Sequence, residues 1–358
     1  MHQQFMRLAL ELAAQGRFTT APNPMVGAVL TKAGRTIGKG YHRRFGGPHA
    51  EVEAIHDAGR AARGADLYVT MEPCCFCGKT GACTDAVKAA GIRRVFAATL
   101  DPHRRVRGEG VRCLRAAGIK VSIGALAREA RRLNEAYFTY HERRRPFVVL
   151  KAALTLDGML ADGRGRSKWI SGPEARAWAQ ELRAEAGAVL VGSGTVLADN
   201  PRLTCRICSG RQPLRIVLDA DLKTPPKARV VSGPGRVLIL TASRNRKRAT
   251  ALERAGAEVV RLAASGEMLG WSEILAELYR REVLTVLIEG GACVASSALD
   301  AGIVDKVHIV HAPVLLGPGK GLTWAMKPRP LGKSLRLRQV THKVLGDDVV
   351  TTGYLEGS

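Results

Sequence analysis

The 358-residue sequence predicts two α/β domains that meet near residue 145. Short apolar segments alternate with helical patterns along the whole chain, which is typical of layered α/β folds. The length exceeds that of one ordinary domain. The basic run Arg143-Arg144-Arg145 ends at Pro146, where a proline resets the backbone. We therefore expect one domain over residues 1–144 and another over residues 145–358.

The composition indicates a globular protein that attracts anions. Hydrophobic residues make up 46% of the chain and charged residues 24%, as in ordinary folded proteins. The net charge of +23 favours phosphorylated small molecules and polyanions alike. Arginine runs such as 244–248 lack interleaved aromatic residues, which nucleic-acid surfaces use for stacking. We interpret these runs as solvated surface or linker and expect no nucleic-acid partner.

The first sixteen residues predict an amphipathic helix rather than a signal peptide. Phe5, Leu8 and Leu12 recur at helical spacing, and Glu11 interrupts any apolar core region. No apolar run approaches the length that spans a bilayer. We expect a cytoplasmic protein without a membrane partner.

The apolar pattern predicts the order of elements in each domain. In the first domain, strands are expected at 26–30, 67–71, 95–99 and 119–123, and helices at 49–62, 83–90, 110–117 and 125–138. In the second, strands are expected at 147–153, 188–191, 214–218, 236–240, 283–288 and 306–311, and helices at 173–186 and 271–280.

Two segments of the first domain carry the residues of a zinc-dependent deaminase. They are His49-Ala50-Glu51 and the stretch from Cys74 to Cys83, which holds four thiols. Such enzymes need three protein ligands, an open position for water and a glutamate that moves protons. The alternative is a structural zinc site closed by four ligands. Glu51, two residues after the imidazole at a predicted helix start, favours the hydrolytic site and is the predicted proton shuttle.

The cysteine ligands can be chosen in two ways. Cys74 with Cys77 fits the general Pro-Cys-x-x-Cys pattern of deaminases, and Cys74 with Cys83 is the other pairing. Cys83 runs directly into a predicted helix, whose free N–H groups stabilise a thiolate. Gly78 and Gly81 separate Cys77 from that helix start. We therefore predict His49, Cys74 and Cys83 as the ligands of Zn²⁺.

Two glycine-rich turns follow predicted strands in the second domain. They are Gly192-Ser193-Gly194-Thr195 and Glu289-Gly290-Gly291. Glycine lets the backbone approach a phosphate, but neither turn is a full dinucleotide fingerprint, and such pairs are often plain turns. Cys205-x-x-Cys208 has no second cysteine pair, so we predict no redox or metal site there.

Longer motifs extend through both domains. In the first half they are Pro22-Asn23-Pro24, Gly40-Tyr41-His42, His49-Ala50-Glu51, Glu72-Pro73-Cys74, Asp101-Pro102 and Leu133-Asn134-Glu135; in the second they are 151–158, 167–170, 195–201 and Glu289-Gly290-Gly291. In these motifs the chain resembles the bifunctional riboflavin-biosynthesis deaminase–reductase family over nearly its whole length. The resemblance implies a cytidine-deaminase-like three-layer domain followed by a dihydrofolate-reductase-like domain. It also implies the same zinc ligands and Glu51 as proton shuttle.

The resemblance further implies two consecutive reactions on a phosphorylated pyrimidine. The first domain would remove an amino group from a phosphoribosylated diaminopyrimidinone, and the second would reduce the ribose with NADPH. It implies a homo-oligomer as well. The expected NADPH contacts are Ala153, Trp169, Thr195, Asp199, Gly291, Ala292 and Cys293, and the expected substrate contacts are Ser167, Arg183, Leu203, Arg206 and Glu289.

Within this set, Arg183 and Arg206 make chemical sense as a clamp on phosphate, because guanidinium binds phosphate oxygens bidentately. Lys151 is either a proton donor near the reduced carbon or a partner of Asp157.

The zinc loop departs from the family pattern. Cys75 and Phe76 stand where the family usually carries Ser-His, and Gly81-Ala82 replaces Pro-Pro. The loss of an imidazole removes a polar contact from the pocket wall. Two alternatives follow: a monofunctional reductase with an altered zinc domain, motivated by this loop, and a nucleic-acid base deaminase or RNA-binding protein, motivated by the net charge.

Overall fold

A computed structural model describes residues 2–207, 212–265, 268–323 and 325–355. The chain forms two compact units, Met1–Arg144 and Arg145–Ser358. Of the helices in these described ranges, none is both long and apolar enough to cross a membrane.

The first unit alternates strands and helices. Its elements are α1 (His2–Ala14), β1 (Gly27–Lys32), β2 (Arg35–Tyr41), α2 (Ala50–Ala58), β3 (Asp66–Val69), α3 (Cys83–Ala89), β4 (Arg94–Ala97), α4 (Glu109–Ala116), β5 (Lys120–Ile123), α5 (Ala127–Leu133) and α6 (Glu135–Arg143).

The strands form a five-stranded sheet in the order β2-β1-β3-β4-β5. β1 pairs antiparallel with β2 and β3, whereas β3, β4 and β5 are parallel. Successive residues of β3 pack into the hydrophobic cores on opposite faces of the sheet, because side chains alternate along a strand. Leu67 and Val69 pack with α2, α3 and α4, while Tyr68 packs with α1 and α5. Helices thus cover both faces of the sheet, as expected for a three-layer domain.

Two helices of the first unit differ from the prediction: one ends early and the other is divided. The helix predicted at 49–62 is α-helical only over Ala50–Ala58, because Gly59 adopts a positive φ of 53°, and a 3₁₀ turn, Gly59–Ala62, follows. The helix predicted at 125–138 is wrong as a single element. It is divided into α5 and α6 at Asn134. The side-chain amide of Asn134 accepts a hydrogen bond from the Met25 N–H and donates one to the Met25 carbonyl.

The second unit is larger. Its elements are β6 (Phe147–Thr155), β7 (Met159–Ala161), α7 (Pro173–Glu185), β8 (Ala188–Gly192), α8 (Ser193–Asp199), β9 (Leu214–Leu218), β10 (Val237–Thr241), α9 (Arg246–Arg254), β11 (Glu258–Arg261), β12 (Ala264–Ser265), β13 (Met268–Leu269), α10 (Trp271–Arg280), β14 (Thr285–Ile288), α11 (Ala292–Asp300), β15 (Lys306–Ala312), β16 (Lys320–Gly321), β17 (Leu337–Leu345) and β18 (Asp348–Leu355).

Nine of these strands form one mixed sheet, in the order β11-β10-β9-β8-β14-β6-β15-β18-β17. The strands from β11 to β15 are parallel, and β18 and β17 are antiparallel additions at one edge. α10 and α11 cover one face, where they pack on apolar residues of β6, β8 and β14. Because β8 and β14 are parallel neighbours, their glycine-rich turns lie at the same edge of the sheet, where α/β proteins usually bind ligands.

Candidate functional site

The structure brings His49, Cys74 and Cys83 together in the first unit. Their donor atoms all lie within 4.8 Å of one another. His49 Nδ1 is 3.1 Å from Cys83 Sγ and 3.5 Å from Cys74 Sγ. His49 is the N-cap of α2, and Cys83 is the first residue of α3. Cys77 is exposed and lies outside this cluster.

The chemistry of these donors fits zinc. Bonds of roughly 2.0–2.3 Å to one tetrahedral ion require nitrogen and sulfur donors about 3–4 Å apart. The hydrogen bond from Cys83 lowers the pKa of the Cys74 thiol to about 4. The same bond, together with burial, raises the pKa of Cys83 above its ordinary value. The two thiols therefore hold one proton between them, and a cation that binds both must displace it.

Glu51 lies beside this cluster, in the first turn of α2. Its side chain is buried, and burial, followed by the nearby charge of Cys74, raises the pKa of the carboxyl to about 7. A carboxyl group with that pKa can accept and return a proton near neutral pH. The metal-binding atoms belong to His49, Cys74 and Cys83, which leaves Glu51 available for proton transfer.

A second imidazole borders the site. His42 Nδ1 is 2.9 Å from the Pro48 carbonyl, to which it donates, so Nε2 accepts from the Asn23 amide at 3.1 Å. The ring lies edge-on to His49, with centroids 5.1 Å apart, and burial lowers the pKa of His42. A neutral His42 thus connects the Asn23 loop to the wall of the metal site. Sequence reasoning assigned no role to this pair.

Glu72 fixes the loop that faces the cysteines. Its buried carboxylate accepts from the backbone N–H groups of Asp101, Gly108 and Val111 at 2.9–3.2 Å. Gly110 is required there, because a Cβ at this position would lie 2.0 Å from the Pro73 carbonyl oxygen. The loop is therefore held directly against the residue that precedes the ligand Cys74.

The altered residues of the zinc loop contact residues 103–105. The Phe76 ring is roughly parallel to that of His103, with centroids 6.0 Å apart, and the Arg105 guanidinium lies 4.1 Å from the Phe76 centroid. The Cys75 thiol points to the Arg105 carbonyl at 3.7 Å. An imidazole thus stands beside Phe76, although the sequence at position 76 itself has lost one.

The second unit contains a cavity of about 730 Å³, which is in the range of small-molecule sites. Every reductase residue expected from the resemblance lines it: Ala153, Ser167, Trp169, Arg183, Thr195, Asp199, Leu203, Arg206, Glu289, Gly291, Ala292 and Cys293. Both glycine-rich turns border the cavity. Gly290 packs against Val191, since a Cβ there would lie 2.8 Å from the Val191 side chain.

Arg183 and Glu289 form a buried ion pair in the cavity wall. Arg183 Nε donates to Glu289 Oε1 at 2.9 Å, and Nη2 donates to Oε2 at 2.5 Å. Burial opposes the charged form of Glu289, but Arg183 outweighs it and keeps the pKa of the carboxyl below its ordinary value. Arg183 Nη1 also donates to the Thr204 carbonyl at 3.2 Å. Three of the five N–H groups of this guanidinium thus donate to protein acceptors.

Lys151 lies on β6, is half-buried and lines the same cavity. Burial lowers the pKa of its ammonium group, while the charge of Glu289 opposes that shift. The alternative partner, Asp157, instead accepts from Thr155 Oγ1 and from the N–H groups of Leu316 and Gly317. Asp157 is therefore paired with these groups and not with Lys151.

The last residue of α8, Asp199, accepts hydrogen bonds from residues 167 and 168 in the cavity wall. Asp199 Oδ1 accepts from Ser167 Oγ at 3.0 Å, and the Asp199 carbonyl accepts from Lys168 Nζ at 2.6 Å. Other lining residues were missed by sequence reasoning, because isolated arginines carry no motif: Arg164, Arg176, Arg202 and Arg229. Of the predicted incidental pair Cys205-x-x-Cys208, Cys205 is buried and Cys208 lies outside the described residues.

Comparisons with family models match both halves of the chain. Residues 1–99 match the cytidine and deoxycytidylate deaminase zinc-binding region, and residues 146–351 match the RibD C-terminal domain. These matches confirm the expected zinc-binding deaminase domain and a reductase domain of the NADPH-dependent RibD type.

Curated relatives match across nearly the whole chain. The riboflavin biosynthesis protein RibD of Aquifex aeolicus is 42% identical over 349 residues, which cover 97% of each chain. RibD of Escherichia coli is 39% identical over 331 residues, which cover 88% of each.

Solved structures agree with the fold. A RibD structure from Acinetobacter baumannii superposes with a TM-score of 0.89 at 35% identity, covering 99% of this chain and 98% of that one. A deaminase/reductase from Thermotoga maritima superposes with a TM-score of 0.86 at 38% identity, with the same coverage. The assembled metal-binding cluster, the cavity and these full-length matches together show that the chain belongs to the RibD family of bifunctional deaminase–reductases of riboflavin biosynthesis.

Proposed function

We propose that residues 1–144 hydrolyse the amino group of 2,5-diamino-6-(5-phosphoribosylamino)pyrimidin-4-one. We propose that residues 145–358 then reduce the ribose of 5-amino-6-(5-phosphoribosylamino)uracil with NADPH. The observation that carries the first step is the convergence of His49, Cys74 and Cys83 beside Glu51. The Thermotoga maritima relative is a diaminohydroxyphosphoribosylaminopyrimidine deaminase and 5-amino-6-(5-phosphoribosylamino)uracil reductase, which supports the choice of substrates.

In the deaminase step, His49, Cys74 and Cys83 would hold Zn²⁺, which supplies a water of lowered pKa when bound. Glu51, beside these ligands, would accept a proton from the attacking water and return it to the departing amino group. Its buried position keeps the carboxyl available in both protonation states near pH 7. Asn23 and neutral His42 orient the ring at the pocket wall. Glu72 keeps the opposite loop in place.

In the reductase step, NADPH supplies a hydride when bound. The start of α11, at Ala292 and Cys293, offers free backbone N–H groups to its phosphates, and Gly290 lets this turn pack against Val191. Thr195 and Asp199 border the same cavity from α8. The residues that would contact the substrate line the same cavity: Ser167, Arg183, Leu203, Arg206 and Glu289. Lys151, half-buried and within electrostatic reach of Glu289, is the proton donor to the ribose oxygen.

We also propose that the enzyme is a cytoplasmic homo-oligomer. The zinc loop carries free thiols at Cys74, Cys75 and Cys77, which a reducing compartment maintains. β17 ends the nine-stranded sheet, and Val344 on it is 70% exposed. Long exposed edge strands invite pairing with another chain, here a second copy.

Product analysis by mass spectrometry tests the two reactions. Purified protein with zinc and the diaminopyrimidinone, but without NADPH, should accumulate only the deaminated ribosyl compound. Addition of NADPH should convert it to the ribityl compound. A protein that reduces the deaminated compound but never produces it would instead be the monofunctional reductase.

A further inference from the structure

Two cysteines outside the metal-binding cluster lie near each other in the first unit. Cys75 directly follows the ligand Cys74, and Cys113 lies on α4. The two thiols are within electrostatic reach of each other, and the Arg112 guanidinium is within electrostatic reach of both. Both cysteines are free and half-buried, so small solutes reach them from solvent. Neither thiol has a role in the proposed deaminase reaction.

Backbone packing places these two thiols on facing segments. A Cβ on Gly110 would lie 2.0 Å from the Pro73 carbonyl oxygen, so the start of α4 is in direct contact with the segment that leads to Cys75. Cys113 follows Gly110 by three residues, and residues at that spacing lie on the same side of a helix. The side of α4 that carries Cys113 is therefore the side packed against the zinc loop.

The other side of the zinc loop is held by α3. The Thr84 N–H donates to the Cys74 carbonyl at 3.0 Å, and α3 and α4 share one hydrophobic core. Beyond Cys74, the Cys75 thiol makes only a long contact, 3.7 Å, with the Arg105 carbonyl. A thiol is a weak hydrogen-bond donor, so this contact is easily exchanged for a covalent bond.

Cations lie beside Cys113. Lys88 on α3 and Arg112 on α4 are both within electrostatic reach of its thiol. Each also forms an exposed pair with a carboxylate of its own helix, and water screens such pairs. Nearby cations favour the thiolate, which is the form of cysteine that peroxide oxidises. Cys113 is therefore the thiol that an oxidant attacks first.

We propose that Cys75 and Cys113 form a redox-sensitive modification site, in which hydrogen peroxide produces a disulfide that slows deamination. The Cys113 thiolate attacks one peroxide oxygen, the O–O bond breaks, and hydroxide leaves, which gives a sulfenic acid. The Cys75 thiol then attacks that sulfur, and the S–O bond breaks as the S–S bond forms and water leaves. The two cysteines together lose two electrons, and the peroxide is reduced to water.

The disulfide acts on the metal site through Cys74. An S–S bond of about 2.0 Å requires the Cys75 side chain to leave the Arg105 carbonyl and turn towards α4. Because Cys75 is bonded directly to Cys74, this movement displaces a zinc ligand relative to His49. Loss of support around a metal site typically lowers activity by about tenfold to hundredfold. The effect on ammonia release rests on the proposed function, whereas formation of the disulfide does not.

The test exposes zinc-loaded wild-type protein to hydrogen peroxide and then blocks the remaining thiols with iodoacetamide. Peptide mapping by mass spectrometry identifies the linked cysteines, and ammonia release is measured on the same samples. We expect a link between Cys75 and Cys113 and a fall of about tenfold in ammonia release. Dithiothreitol should reverse both the link and the loss of activity.

Three variants separate the dithiol from direct oxidation of the zinc ligands. Cys113→Ala should keep its ammonia release after the same exposure, and so should Cys75→Ser, which introduces the residue usual in the family. Cys77→Ser is the matched control, because it removes an exposed thiol from the same loop and leaves the proposed pair intact. This variant should lose activity as wild type does.

A link between Cys75 and Cys77, no link at all, or equal inhibition of Cys113→Ala and wild type would overturn the inference. Failure of the proposed function would look different. Fully reduced wild-type protein would then release no ammonia from the diaminopyrimidinone, while peptide mapping would still find Cys75 linked to Cys113 after exposure to peroxide.

Discussion

Arg183 and Glu289 are 106 residues apart in sequence and form a bidentate ion pair in the wall of the reductase cavity. α7 supplies the arginine, and the turn after β14 supplies the glutamate. The pair connects a helix to the edge of the sheet where the glycine-rich turns lie. It shapes the cavity, and neither partner is available to act as an isolated charge.

Arg183→Leu should destabilise the second unit. Removal of one partner leaves Glu289 buried and unpaired, which costs about 3–5 kcal/mol. Chemical denaturation measures the loss. Arg166→Leu is the control, because it breaks an exposed pair with Asp162 that contributes at most about 1 kcal/mol. The double variant Arg183→Leu/Glu289→Leu should recover much of the loss. A double variant less stable than Arg183→Leu would contradict this account.

The same pair predicts a dependence of stability on pH. Arg183 keeps the pKa of Glu289 below its ordinary value, so the pair stabilises the fold fully above the unfolded carboxyl pKa of about 4.3. That contribution is lost as pH falls from there through the lower folded-state pKa. The free energy of unfolding, measured against pH, should therefore fall more for wild type than for the double leucine variant. Parallel curves would rule out the pair as the cause.

Cys83→Ser should remove zinc and abolish ammonia release, because serine does not supply the thiolate that zinc requires. Cys77→Ser should change neither, since Cys77 is exposed and outside the cluster. Metal content by elemental analysis, with ammonia release on the same samples, separates the two variants. The opposite pattern would show that Cys77 is the ligand.

Gly110→Ala should impair the metal site without altering any ligand. The new Cβ would lie 2.0 Å from the Pro73 carbonyl oxygen, so the backbone before Cys74 must shift. We expect lower zinc content and at least a tenfold loss of ammonia release, with NADPH oxidation retained. Gly81→Ala, in the segment between Cys74 and Cys83, is the control, because nothing lies within 4 Å of its Cβ. Equal behaviour of the two variants would exclude the proposed crowding.

The metal-binding cluster could be predicted from the sequence because the motifs that indicate it are local. The helix start at Cys83 and the motif at His49 predict which groups converge. Other features depend on contacts between distant segments. The division of α5 from α6 at Asn134 requires Met25, 109 residues away. β2 was missed because Gly38 and Gly40 weaken its strand pattern, yet these glycines let it pack against α2, where a Cβ would meet helix backbone at about 2.4–2.5 Å.

The arginines of the cavity lining show the same limit. Arg202 and Arg229 carry no motif, and only the fold brings both to the cavity. The Arg183–Glu289 pair could not be predicted either, because each residue was expected to bind substrate and nothing in the pattern joins them.

The most direct test of a two-site enzyme uses Glu51→Gln, which removes the proton carrier and leaves the zinc ligands intact. Ammonia release and NADPH oxidation are measured separately, first on the diaminopyrimidinone and then on its deaminated product. The account predicts normal zinc content, no ammonia and no NADPH oxidation on the first compound, and a wild-type rate of NADPH oxidation on the second. Ammonia release at the wild-type rate would contradict the role of Glu51, and loss of NADPH oxidation on the second compound would contradict two independent sites.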